Sequence, residues 1–166
     1  MATIINCNFA QHQEKISALF NHAIVHTTAL YEYKQRSKAD IEKWFEDKQT
    51  NQLPILGIEN EQGELLAFAS YGYFRPYPAN AKSCECAIYV DPNEQGKGLG
   101  RMLLKALKQK AGEQGFHTMV AVIDSDNLAS KKLHKICGFS YCGTLKQIAY
   151  KFERWLDAEI YQTFLN

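Results

Sequence analysis

The sequence predicts an α/β (α+β) protein: one mixed, mostly antiparallel central sheet flanked by helices. Three observations carry that expectation. Runs with helical apolar spacing alternate with short runs rich in β-branched and aromatic residues. A turn-rich "NEQG" separates two strand-like runs as a hairpin would. The later part of the chain reads strand–helix–strand–helix–strand, which calls for helices packed on a sheet.

Each element has its own signal. "ATIINC" is a short apolar opening strand, and Ile16, Leu19, Phe20, Ala23 and Ile24 then recur at helical spacing. Around "SKADIEKWFEDK" a second helix is expected, with Ser37 as its cap and Asp40 three residues on. "LPILGIE" and "ELLAFASYGYF" form the hairpin, and "SCECAIYV" is a third strand ended by Asp91-Pro92. The next helix places Leu99, Met102, Leu103, Ala106 and Leu107 on one face. "TMVAVID" reads as a strand buried on both sides, and "NLASKKLHKICG" as a helix stopped by Gly138. "FSYCGTL" and a stretch near "WLDAEIYQTF" close the chain as strands.

The bulk composition narrows the function classes. A chain of 166 residues fits a single domain over 1–166 with a real core. Nineteen basic against eighteen acidic residues leave a formal charge of +1, with no footprint for nucleic acid. No apolar run approaches a membrane span, and the N-terminus lacks a signal-peptide pattern, so a cytoplasmic location is expected. Cys7, Cys84, Cys86, Cys137 and Cys142 follow no disulfide or metal-ligand rhythm. They are expected to be reduced, buried, small hydrophobes, and no metal is implied.

"PNEQGKGLGRMLLKAL" poses the functional question, because Gly96, Gly98 and Gly100 lead directly into a helix. A glycine loop opening a helix exposes amides with partial positive charge and lets an anion approach the backbone. Neither the Walker A spacing nor G-x-G-x-x-G is met, since the register here is G-x-G-x-G. A helix entry that merely tolerates glycine is the plain alternative.

Downstream residues decide between them. Gln95-x-x-Gly98-x-Gly100 resembles the [Q/R]-x-x-G-x-[G/A] signature of the GNAT acyltransferases, and "DNLASKKLHKICGF" supplies the Asn and Gly-Phe expected after the next strand. Over nearly the whole chain, "FNHAIVHTTALYE", "ASYGYFRPYP", "CECAIYV" and "GTLKQIAYKFERWLD" resemble the phosphinothricin/methionine sulfoximine N-acetyltransferases within that superfamily. That group often has Val-Glu-His-Ser where this chain has Cys84-Glu85-Cys86-Ala87.

The resemblance implies the GNAT fold and acetyl-CoA-dependent transfer of an acetyl group to a small-molecule amine, an amino-acid-like acceptor such as methionine sulfoximine or phosphinothricin. It also implies a homodimer. Another acceptor (a polyamine, aminoglycoside or protein N-terminus) and a non-catalytic acyl-CoA sensor are the alternatives. The loop residues Gln95, Gly96, Lys97, Gly98, Leu99 and Gly100 are then expected to hold the pyrophosphate of acetyl-CoA. Ile88, Tyr89 and Val90 are expected to offer backbone groups to the rest of the cofactor, with Asn127 and Ser130 as further contacts.

Glu85 shares a strand face with Ala87 and Tyr89, and a carboxylate amid "CECAIYV" is unusual. By itself it reads as a surface or ion-paired glutamate; the resemblance makes it the base that takes the amine's proton. His134 occupies the slot where many relatives place a tyrosine that protonates departing coenzyme A, and packing at the core edge is an equal reading. On the acceptor side, Arg75 sits in the proline-stiffened "YGYFRPYP", where a guanidinium suits a carboxylate or phosphinate. Lys82 can assist, and Tyr73 and Phe74 line the pocket or pack in the sheet.

Overall fold

The computed structural model describes residues 3–165. Seven strands form one sheet in the order β1-β2-β3-β4-β5-β7-β6. Strands β1 (Thr3–Asn6), β2 (Ile55–Glu59), β3 (Leu65–Tyr73) and β4 (Ser83–Val90) pair antiparallel with one another in succession. The β4–β5 pair is parallel, with β5 at Thr118–Asp124. Strand β7 (Arg154–Phe164) then pairs antiparallel with β5 on one side and with β6 (Ser140–Lys151) on the other. The mixed, mostly antiparallel sheet read from the sequence is the one observed. Ala2, placed in the first strand by the sequence, lies outside the described residues.

Helices α1 (Phe9–His26) and α2 (Lys38–Thr50) cover one face of the β1–β4 half of the sheet, burying Ile16, Leu19, Phe20, Ile41 and Phe45 against Ile55, Leu65 and Phe68. Helix α3 (Leu99–Glu113) covers the other face, against Ala67, Ala69, Tyr71, Cys84 and Cys86. The period of two in β3 and β4 therefore sorts their residues between two cores. At the start of α2, Ser37 and Asp40 form the expected capping box, which closes two otherwise unpaired amides.

The departures have physical reasons. Met102 is exposed and Leu104 fully buried, because the apolar stripe of α3 centres on Leu103, Leu107 and Ala111. Val122 is exposed, since α1 and α2 do not extend over that face of β5. Cys142 is exposed on edge strand β6 and Cys7 is half-buried; only Cys84, Cys86 and Cys137 are the buried cysteines expected. Strand β6 runs to Lys151, well past "FSYCGTL", through irregular pairing near Gly143 and Ala149. No helix among the described residues is long and apolar enough to cross a membrane.

Candidate active site

The parallel pairing of β4 with β5 is brief. It joins Ser83 to Thr118, Cys84 to Met119 and Glu85 to Val120, then stops, although β4 continues beside β3 to Val90 and β5 beside β7 to Asp124. The two strands splay into a gap. Phe74 donates its amide to the Ser83 carbonyl and Asp91 donates its own to Leu66, so odd-numbered peptide groups of β4 face β3. By alternation, Ile88 and Val90 turn their N–H and C=O groups into the gap, free of a sheet partner. Tyr89 turns its backbone to β3. Of the three strand-end residues expected to offer backbone groups, two face the gap.

The glycine loop begins at the same strand end. Asp91 accepts from the Asn93 amide and pairs with Lys15, whose hydrogen bond holds the carboxyl below its ordinary range. Gly96 and Gly98 have φ of +78° and +83°, a region that L side chains disfavour. A Cβ added at either would meet nothing within 4 Å. Gly98 is also the N-cap of α3 and supplies no side-chain cap, so amides of the first helical turn open onto bare space. Gly100 has a different reason: its added Cβ would stand 3.0 Å from Leu133 Cδ2 of α4 (Leu128–Ile136), so it permits close helix packing. Gln95 and Lys97 are exposed at the rim, with Lys97 2.9 Å from Glu94, while Leu99 turns its side chain into the core.

Across the gap, α4 starts just beyond β5. Asn127 is its N-cap and accepts from the Ser130 amide at 3.1 Å. His134 is buried. Its Nδ1 lies 2.8 Å from the Ser130 carbonyl, and its Nε2 lies 3.8 Å from Cys86 Sγ. A carbonyl only accepts, so Nδ1 carries the proton of the neutral ring and Nε2 faces the thiol as an acceptor. Burial lowers the His134 pKa, with the Ser130 bond opposing, which keeps that ring neutral.

Glu85 points to the other face of β4, into a cavity of about 170 Å³ between the sheet and helices α1 and α2. Phe20, Trp44, Phe68 and Tyr89 give it an aromatic wall, packed edge-on and stacked at centroid separations of 4.9 to 6.0 Å. Desolvation raises the Glu85 pKa above the ordinary glutamate value. Two cations share this cavity, Arg36 and Lys48. Burial pulls Lys48 down to about 8, and its Nζ donates to the Tyr71 carbonyl at 2.6 Å.

Residues 18–139 match the model of the Acetyltransferase (GNAT) family. The chain belongs to that family. An L-methionine sulfoximine/L-methionine sulfone acetyltransferase of Pseudomonas aeruginosa is 40% identical over 151 residues, 91% of this chain and 88% of that one. Among solved structures, an N-acetyltransferase from Staphylococcus aureus superposes with a TM-score of 0.97 at 41% identity, covering 100% of this chain and 99% of the other. A phosphinothricin acetyltransferase from Sinorhizobium meliloti, solved in complex with acetyl-CoA, gives 0.96 at 30%, covering 99% and 89%.

For a GNAT acetyltransferase the open glycine cradle and the unpaired edge of β4 are fitting places for a pyrophosphate and an amide-bearing arm. The fit rests on bare backbone at Gly96 and Gly98 and on the free peptide groups of Ile88 and Val90. The acceptor side departs from the sequence reading. Within one chain Arg75 is exposed, its guanidinium 5.6 Å from the Tyr77 ring centre, and it does not line the Glu85 cavity. Tyr73 and Lys82 line a separate hollow at the far end of β3, with Gln52, Gln114 and Phe116. Phe74 is half-buried beside them in sequence and lines neither. The residues that sequence reasoning missed are Arg36, Trp44 and Lys48 on the α1–α2 side. Periodicity marks Trp44 as ordinary core, and no motif marks the two cations.

Proposed function

We propose that this GNAT enzyme transfers the acetyl group of acetyl-CoA to the α-amine of a small amino-acid-like acceptor, with methionine sulfoximine, methionine sulfone and phosphinothricin as candidates. The observation that carries the reading is the half-buried Glu85 carboxylate. It faces an aromatic-walled cavity, on a strand whose next peptide groups are free in the gap beside the glycine loop. An α-amine has a reference pKa of about 8, so at neutral pH most of it is ammonium. A carboxylate with a raised pKa is a stronger base than a solvated one, and Glu85 takes this proton directly or through one water. The gap-facing amides of Ile88 and Val90 support stabilisation of charge on the carbonyl oxygen. The glycine loop, Asn127 and Ser130 hold the rest of the donor.

The neutral His134 has no proton at Nε2 to give, so the departing thiolate takes its proton from solvent and His134 acts in packing. Arg36 and Lys48 beside the base weigh against polyamine or aminoglycoside acceptors, which are polycationic. The reading places the enzyme in the cytoplasm as a homodimer; Tyr150 and Trp155, exposed on the terminal hairpin, support a subunit contact.

The test is release of free thiol from acetyl-CoA with a panel of amino acids, polyamines and aminoglycosides. Methionine sulfone and sulfoximine should be acetylated, and Glu85→Gln should lower turnover by about 10²–10⁴-fold with acetyl-CoA binding retained. Thiol release with polyamines alone would overturn the acceptor class.

A further inference from the structure

The cavity next to Glu85 carries a feature that the transfer reaction itself does not need. Arg36 is fixed there from every side. Its backbone amide donates to Asn21 Oδ1 at 2.8 Å, and its carbonyl accepts from Asn21 Nδ2 at 3.2 Å. Its side chain gives one edge of the guanidinium to Glu32, Nε to Oε2 at 3.0 Å and Nη2 to Oε1 at 2.5 Å. The carbon of the guanidinium lies 4.0 Å from the centre of the Phe20 ring, a stacking position that limits its tilt. Nη1 has no hydrogen-bond partner among the described residues. One Nη2 hydrogen is likewise left over, so a second, two-pronged edge of the fork is open.

The cavity has two ends. Gly72 and Glu85 are paired across β3 and β4 at one end, and an added Gly72 Cβ would lie 3.8 Å from Lys48 Nζ. Phe68 and Tyr89 are paired at the other end, where Phe20 and Arg36 stack. Four residues of strand separate Glu85 from Tyr89, roughly 13 Å of backbone. An acceptor amine at Glu85 therefore keeps its own α-carboxylate at the Lys48 end. What reaches Arg36 is the far end of the side chain.

Resting on the acetyltransferase reading above, we propose that the open guanidinium edge of Arg36 binds the oxygens on a tetrahedral sulfur or phosphorus at the end of the acceptor side chain. Arg36 is then a specificity residue that favours sulfone, sulfoximine or phosphinate heads over unoxidised thioethers and plain aliphatics. Glu32 is a positioning residue that holds the fork in plane.

The experiment compares kcat/KM for methionine sulfone, methionine, and the decarboxylated sulfone amine in wild type, Arg36→Met, Arg36→Lys and Glu32→Gln. Arg36→Met should reduce the sulfone-to-methionine ratio by about 10–100-fold, the scale of a lost charge-assisted pair. Arg36→Lys should recover part of that ratio, because a point charge cannot reproduce the two-pronged geometry. Glu32→Gln should lower the ratio less than Arg36→Met does. Coenzyme A binding by calorimetry reports that each variant is folded, and Glu32→Gln carries the test should Arg36→Met fail to fold. A ratio unmoved in the variants, with wild type active on the sulfone, overturns this assignment alone. An equal loss for sulfone and methionine that vanishes for the decarboxylated amine makes Arg36 the α-carboxylate reader and overturns it too. Wild type that acetylates no amino acid overturns the acceptor class and this assignment with it.

Discussion

Burial holds the Glu85 carboxyl above the ordinary glutamate pKa, and that one shift acts with opposite signs on rate and on stability. The folded chain binds the proton more tightly than the unfolded chain, so ionised Glu85 lowers stability at pH values above its folded pKa. Below the unfolded value of about 4.3 both states are protonated and the penalty is gone. Glu85→Gln should thus melt higher than wild type at pH 7, with the difference shrinking as pH falls toward about 4. In wild type, kcat/KM should fall on the acid side at a pH above the ordinary glutamate range, and Glu85→Gln should lose that limb. Melting curves and pH–rate profiles check both signs, and a variant less stable at pH 7 would show Glu85 held by a favourable partner instead. The face that Glu85 takes was legible from strand parity, since its neighbours Cys84 and Cys86 belong to the core on the other face, while its part as base came only from the family resemblance. Arg36 was not. It lies in an aperiodic connection, and only folding of α1 and α2 onto the sheet brings it to the same cavity. Within one chain Arg75 lies apart from that cavity, because the β3–β4 connection leaves the sheet at the strand ends.

Between strand and helix, the three glycines of one loop divide into two jobs. Gly96 and Gly98 keep backbone at positive φ open to a ligand, while Gly100 lets α3 and α4 touch. Asn is the side chain that most readily adopts the left-handed conformation, so Gly98→Asn should fold with little loss of melting temperature. Its side chain nevertheless enters the cradle, and coenzyme A affinity should drop by about tenfold or more, on the scale of one lost charge-assisted bond. Calorimetric titration beside a melting curve separates the two effects; unchanged affinity would remove the loop from the site. The loop's existence was plain in the sequence, but its division of labour depends on where Leu133 arrives. The terminal hairpin was less legible for a related reason. Phe152 and Glu153 form its two-residue turn with φ of +52° and +58°, and neither is the glycine or asparagine that normally marks such a turn.

Over the whole molecule, the connection between α1 and α2 is tied down by the opposite end of the sheet. Lys151, buried at the tip of β6, donates to the carbonyls of Thr27 at 2.8 Å and Leu30 at 2.5 Å. Tyr31 reaches Asp124 at 3.1 Å, and Tyr33 bonds the Tyr150 carbonyl. This strap carries Arg36 to the cavity beside Glu85, with Glu32 paired to its guanidinium. Lys151→Met keeps the apolar stem but strands two carbonyls, so KM for the acceptor should rise by about tenfold, the worth of one charged hydrogen bond, with acetyl-CoA affinity retained. Equal losses for both substrates would mean the strap supports the fold at large and has no special hold on the acceptor side. The splayed β4–β5 edge has a consequence of its own. The sheet is left one partner short at its centre, and on the proposed reading the donor's amide-bearing arm fills that place. Ligand supply then enters the folding equilibrium: each tenfold rise in acetyl-CoA or coenzyme A above its dissociation constant adds about 1.4 kcal/mol to the folded state, so an emptied site leaves a softer sheet than a filled one.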